Sequence, residues 1–161
     1  MAATVEWHVF TGSPLADDGA MGAGQDLCSA DNDAYSAANR TANPVIVGDY
    51  SYEKWMALKV TVAPDNWISS FKLWGNADIA LNTTLRVGST ATGAAPVDTA
   101  STVATNDFYG FTSLAKYTWD SDVYTLLNAF TKYLVWQLQV GALATPGDWG
   151  PYTVYYEYTE A

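Results

Sequence analysis

Between Lys132 and Glu160 the chain reads KYLVWQLQVGALATPGDWGPYTVYYEYTE, and two runs inside it alternate with a period of two. Leu134, Trp136, Leu138 and Val140 fall on one parity, Gln137 and Gln139 on the other. Successive side chains of a strand point to opposite faces, so this spacing predicts a strand with one face in a core and the other wet or shared. The breakers Gly141, Pro146, Gly147, Gly150 and Pro151 separate it from a second run, in which Tyr152, Val154, Tyr156 and Tyr158 alternate with Thr153, Tyr155 and Glu157. The C-terminus therefore reads as an antiparallel pair or as a corner that crosses between sheets.

The same period recurs upstream. Met56, Leu58, Val60 and Val62 alternate with Trp55, Ala57, Lys59 and Thr61, which predicts a strand over 52–62. Pro64, Asp65 and Asn66 mark a turn. Phe71 and Leu73 then point away from Ser70, Lys72 and Trp74, and Ile79, Leu81, Thr83, Leu85 and Val87 supply one or two further strands. Turns every 8–12 residues or so are the pattern of a sandwich or barrel. The small-residue stretch 88–107 reads as a long loop with an edge strand at 101–105. Over 108–130 two readings stay open: no regular element, or a short helix capped by Asp120 or Ser121 with Val123, Leu126, Leu127 and Phe130 on one stripe. The fold class is thus all-β, an antiparallel sandwich of jelly-roll or immunoglobulin-like type with at most one short helix.

Residues 1–45 read differently. Val5, Trp7 and Val9 share one face of a short opening strand, but 15–44 are rich in Ala, Gly, Asp and Asn and poor in large apolar groups. Such a stretch buries too little surface to offset its own ordering entropy. It is expected to be an extended arm that orders against the domain itself or against a neighbouring subunit, leaving 46–161 as the sandwich. On that expectation, removing residues 1–40 leaves a folded domain.

Composition narrows the function. At 161 residues the chain is expected to form one domain, and its net charge is −10 with seven singly scattered cations. Nucleic acid and anionic membranes both require clustered cations, so neither is an expected partner. Cys28 has no cysteine to pair with. His8, the one histidine, alternates with Trp7 and Val9 and is expected to face solvent rather than act as a base. Asp31, Asn32 and Asp33 place oxygens near one another, with Asp26 close by, but the glycine and terminal glutamate of a calcium loop are missing. The four glutamates, Glu6, Glu53, Glu157 and Glu160, show no pairing suited to glycoside hydrolysis. The glycines of 19–24 lack a phosphate-loop lysine. The first twelve residues lack the basic and apolar regions of a signal peptide, so synthesis in the cytosol without secretory processing is expected. No catalytic, cofactor-binding or metal-binding residue is assigned, and the chain is not expected to be an enzyme.

Aromatic side chains are the remaining chemistry: seven Trp, eleven Tyr and five Phe. Trp7, Tyr35, Trp149, Tyr152 and Tyr155 are candidate interface anchors. Trp55, Trp67, Trp74, Trp149 and Tyr155 would instead form a sugar-stacking platform if several were exposed on one sheet face.

The runs Tyr133–Val140, Ala144–Pro151 and Tyr152–Tyr158, with Tyr50–Trp55 and Leu73–Gly75 before them, resemble small β-sandwich structural proteins from the virion modules of tailed bacteriophages. The likeness covers about two-thirds of the chain and carries no catalytic residue. It implies a capsid decoration (cement) protein on the virion surface, without a cofactor. The implied partners are the major capsid protein and copies of itself, with threefold clustering as the expected symmetry.

Overall fold

The computed structural model describes residues 2–75, 82–145 and 151–161. The expected strand residues Ile79 and Leu81, the breakers Pro146, Gly147 and Gly150, and the candidate Trp149 lie outside them. The chain forms β1 (Thr4–Thr11), β2 (Ala16–Ala20), a one-turn helix α1 (Ala37–Ala42), β3 (Lys54–Val62), β4 (Ile68–Gly75) and β5 (Thr83–Thr90). There follow β6 (Asn106–Asp107), a 3₁₀ turn (Phe108–Gly110), β7 (Tyr117–Asp120), β8 (Tyr133–Val140) and β9 (Val154–Glu160). Two antiparallel sheets pack face to face, with strand orders β2-β1-β3-β8-β5-β6 and β7-β4-β9. The all-β sandwich expected from the alternating runs is the observed class.

The C-terminal pair crosses between the sheets. β8 lies at the centre of the larger sheet, while β9 is an edge of the smaller. Met56, Leu58, Val60, Leu85, Val87, Leu134 and Trp136 from the larger sheet meet Ile68, Phe71, Leu73 and Trp119 from the smaller. Ile68 and Phe71 both face inward despite opposite parity. The reason is Ser70, in the left-handed region at φ 56°, where the β4 register slips and the side-chain alternation changes phase.

The far side of the larger sheet is not wet. Phe10, Trp55, Ala57, Val135 and Ala104 form a second buried cluster there, and Gln137 is fully buried. The long loop after β5 lies over this face. Gln137 Nε2 donates to the carbonyls of Ser51 at 3.0 Å and Thr99 at 2.7 Å, and its Oε1 accepts the Ser101 N–H at 2.9 Å. The edge strand expected at 101–105 is absent because those amides go to a side chain: Ser101 Oγ accepts from Val103 N and Ala104 N. Pairing with β5 begins only at Asn106. A Cβ at Gly88 would sit 1.8 Å from the Val103 carbonyl oxygen, so only glycine lets the loop lie this close. Gln137→Leu would leave the buried Ser51 carbonyl and the part-buried Thr99 carbonyl and Ser101 amide without this partner. The expected loss is about 2–4 kcal/mol, read by denaturant unfolding.

The segment expected as an arm belongs to the sandwich. β1 pairs with β3 from Thr4↔Val62 to Phe10↔Trp55. Val9 and Phe10 are buried, and His8 is buried with them rather than facing solvent. β2 and Phe130 cover its face of β1: His8 Nδ1 lies 2.8 Å from Asp17 Oδ1, Nε2 lies 3.3 Å from Glu6 Oε1, and the ring meets Phe130 edge-on.

Residues 21–49 lack a large apolar core and are held by polar contacts instead. The turn at 30–32 wraps an internal cation, with the buried Lys54 Nζ donating to the carbonyls of Ala30 at 2.9 Å and Asn32 at 2.6 Å. Burial lowers the ammonium pKa, while the neighbouring Cys28, Asp31, Asp26 and Asp33 pull it back up. Asp26 accepts from Ser36 N, Asn39 Nδ2 and Arg40 Nη1 and so fixes α1, whose N-cap is Ser36. Burial opposes its ionisation, but these donors outweigh it and hold the carboxyl below its ordinary value of 3.8. The stabilisation is therefore present above pH 3.8 and disappears as pH falls through the lower folded value. In an acid titration followed by tryptophan fluorescence, Asp26→Asn should flatten part of the stability loss below about pH 4.

No helix forms over 121–130. Tyr124 bridges to Ile68, Phe130 to Lys59, and the Ala129 carbonyl accepts the Val60 N–H at 2.9 Å, so the segment is a strap pinned to β3 and β4, with a turn at 126–128 between the pinned ends. Asp120 anchors it. Its buried carboxylate accepts from Asp122 N at 2.9 Å, Tyr124 Oη at 2.6 Å and Lys132 N at 2.8 Å, and Lys132 Nζ stands 3.4 Å away. The expected cap residue is thus a cap on a loop. The leucines expected to make a buried stripe face solvent.

Candidate functional site

Two surface features stand out from the sandwich, and both are made by residues that strand geometry places in rows. The first is an aromatic cleft at the Gly75 end of the smaller sheet. β4 lies between β7 and β9, with Leu73 opposite Tyr117 and Trp74 opposite Tyr155, so Lys116, Trp74 and Tyr155 form a row across the outer face. Lys116 Nζ stands 4.5 Å from the Trp74 ring centroid, and Trp74 and Tyr155 stack at 5.7 Å with planes 18° apart. Lys116 also bonds Glu157 Oε2 at 2.6 Å, so its charge is compensated within the row.

The 3₁₀ turn closes the cleft from the side. Asp107 Oδ1 accepts the Tyr109 N–H, and the Phe111 carbonyl accepts the Gly75 N–H at 3.2 Å. Tyr152 packs edge-on against Phe108 and Tyr109. A Cβ at Gly75 would fall 1.8 Å from the Tyr152 hydroxyl, so glycine is what lets that ring reach the strand end. Trp74, Gly75, Tyr109, Phe111, Tyr152 and Tyr155, with the hydroxyls of Thr112 and Ser113, line a cavity of about 340 Å³.

The second feature is a pair of apolar tips. Leu126 is 70% exposed, with Val123 and Leu127 beside it, in the strap that leads into β8. Leu143 is 81% exposed just beyond the other end of β8, and Ile46 and Val47 are exposed in a turn whose Gly48 N–H bonds the Val140 carbonyl. Eight strand residues separate the two groups, a distance of about 26 Å at 3.3 Å per residue. Leu114, 97% exposed, caps the turn that carries Thr112 and Ser113. Contiguous exposed apolar patches mark contact surfaces, whereas apolar side chains exposed singly are ordinary.

Of the candidate interface residues, the structure brings Tyr152 and Tyr155 together in the cleft. Trp7 sits between the sheets, 5.6 Å from Trp119 and 5.5 Å from Tyr156. Tyr35 is exposed in the N-terminal loop near Arg40 and does not line the cleft. Of the proposed stacking platform, Trp74 and Tyr155 share one face, whereas Trp55 is buried on the other sheet. Sequence reasoning missed Tyr109, Phe111 and every apolar tip. The aromatic run Phe108–Phe111 was a signal for the former, and leucines isolated among polar loop residues for the latter.

Among the described residues, no group of three or more His, Cys, Asp or Glu side chains could hold a metal ion. Cys28 is buried with its Sγ 3.6 Å from the Ala30 carbonyl. Among the described residues, no helix is long and apolar enough to cross a membrane. No protein-family model matches the chain, and no curated protein or solved structure matches it either.

Proposed function

We propose that the chain is a non-enzymatic structural protein of a tailed-bacteriophage virion. In this reading it is a decoration protein on the assembled head, made in the host cytoplasm, that contacts the major capsid protein and copies of itself. The observation that carries the reading is the pair of apolar tips at opposite ends of β8. A rigid sandwich with adhesive groups at both ends can bridge two neighbours, and a net charge of −10 keeps it from sticking to nucleic acid. The resemblance of the alternating runs to virion sandwich proteins points the same way. Contact residues that are exposed in the free protein contribute to binding without contributing to folding.

The test uses empty heads of the encoding phage. Leu126→Asp and Leu143→Asp remove one tip each at exposed positions, so the melting temperature should stay within a few degrees. Loss of a buried contact anchor costs about 2 kcal/mol or more, so co-sedimentation with heads should weaken by more than about tenfold. Full-strength binding by the double variant would rule the tips out as the contact surface.

A further inference from the structure

We infer that the cleft between Trp74, Tyr155 and the 3₁₀ turn is a binding site for a neutral pyranose sugar. This goes beyond the decoration reading and does not depend on it. A hexose is recognised by an aromatic face against its C–H surface and by hydroxyl or amide groups against its rim. Both are present here. The Lys116–Trp74–Tyr155 row ends at Tyr155, which is 45% exposed on the edge strand β9 and offers its ring to a ligand in the cleft. Trp74 is held flat by the cation on one side and Tyr155 on the other, so the stacking surface is rigid before a ligand arrives. The hydroxyl-bearing residues Tyr109, Thr112, Ser113 and Tyr152 complete the lining.

The size and charge of the cleft select the ligand. A volume of about 340 Å³ is at the small end for ligand sites, which suits one or two sugar rings. Lys116 is already paired with Glu157, and the chain as a whole is acidic, so a sialic or uronic acid meets no uncompensated cation. A proline-rich peptide also docks on aromatic surfaces, but it requires an extended groove rather than a short cavity.

The experiment is titration of the full-length chain with methyl glycosides of neutral hexoses and N-acetylhexosamines, followed by tryptophan fluorescence and by saturation-transfer NMR. At least one glycoside should bind one-to-one with a Kd of about 1 mM. Tyr155→Ala should abolish binding and Tyr155→Phe should retain it, because stacking needs the ring and not the hydroxyl. Tyr155→Phe should melt with the wild-type chain, and Tyr155→Ala within a few degrees of it, since Tyr155 is 45% exposed and the alanine loses its stack on Trp74. The inference fails if no glycoside in the panel produces transfer at tens of millimolar. Undiminished binding by Tyr155→Ala overturns it equally, as does displacement of the sugar by a proline-rich peptide of higher affinity. Head co-sedimentation is read separately, so loss of the sugar site leaves the decoration reading intact.

Discussion

A chain lacking residues 1–20 is expected to be unfolded, with no cooperative thermal transition in far-ultraviolet circular dichroism. The deletion removes β1 and β2 together. β1 supplies the neighbour of β3 along seven paired positions, from Thr4 to Phe10. Without it, a strand buried on both faces becomes a bare edge. Val9 and Phe10 lose burial that is worth about 2 kcal/mol each. The Ala3 N–H to Glu160 Oε1 bond at 2.6 Å and the Trp7 contacts with Trp119 and Tyr156, which tie the two sheets together, go as well. A domain of this kind holds only about 5–15 kcal/mol in total, so these losses are enough to abolish the native state. A folded, cooperative truncation would mean that β1 is the separable arm that composition suggests.

Asp120→Ala is expected to cost about 3–5 kcal/mol, measured as a shift in the urea midpoint. The carboxylate is buried, and three donors converge on it from Asp122, Tyr124 and Lys132. Alanine leaves the Tyr124 hydroxyl and the Lys132 amide without an acceptor and frees the strap between β7 and β8. Because that strap carries Val123, Leu126 and Leu127, head binding should fall along with stability. Asp120→Asn keeps an acceptor oxygen but must turn an N–H₂ toward a donor, so it should lie between the two. Tyr124→Phe removes one bond only and should cost about 1 kcal/mol. Equal costs for Asp120→Ala and Tyr124→Phe would show that the carboxylate does not organise the strap.

What the sequence revealed follows from periodicity. Alternation in β3 and β8 was legible because one parity of each packs between the sheets, and the class followed from it; in β4 the left-handed Ser70 shifts the parity part-way along the strand. The second buried face was not legible. Gln137 reads as a solvent residue, and only the loop at 97–101, which has no period of its own, turns it into a core residue through three backbone groups, the carbonyls of Val97 and Thr99 and the Ser101 amide. The contacts that order residues 21–49 against the domain were not legible for a similar reason. The order of 21–49 comes from single ionic and amide contacts, Asp26 with Arg40 and Lys54 with the Ala30 and Asn32 carbonyls, which leave no trace in apolar spacing. Residues 123–130 carry helical spacing, yet their leucines are exposed, because Asp120 and the bridges to β3 and β4 pin the two ends of the segment and Leu126 and Leu127 sit on a tight turn closed by the Ala129 N–H on the Leu126 carbonyl. In the cleft, Trp74, Tyr152 and Tyr155 were legible as aromatics on strands or near them. Tyr109 and Phe111 became part of the site only through a 3₁₀ turn that no pattern announced.

The proposed role stands or falls on whether the free chain joins copies of itself and a head surface through the apolar tips. Light scattering on the purified protein, alone and with empty heads of its phage, measures both at once. The account predicts a solution mass of at least two chains of 17.4 kDa each. It also predicts a head-bound fraction that saturates, and both should be lost in the Leu126→Asp/Leu143→Asp variant. A wild-type chain that stays at 17.4 kDa and leaves the mass of the heads unchanged would contradict it.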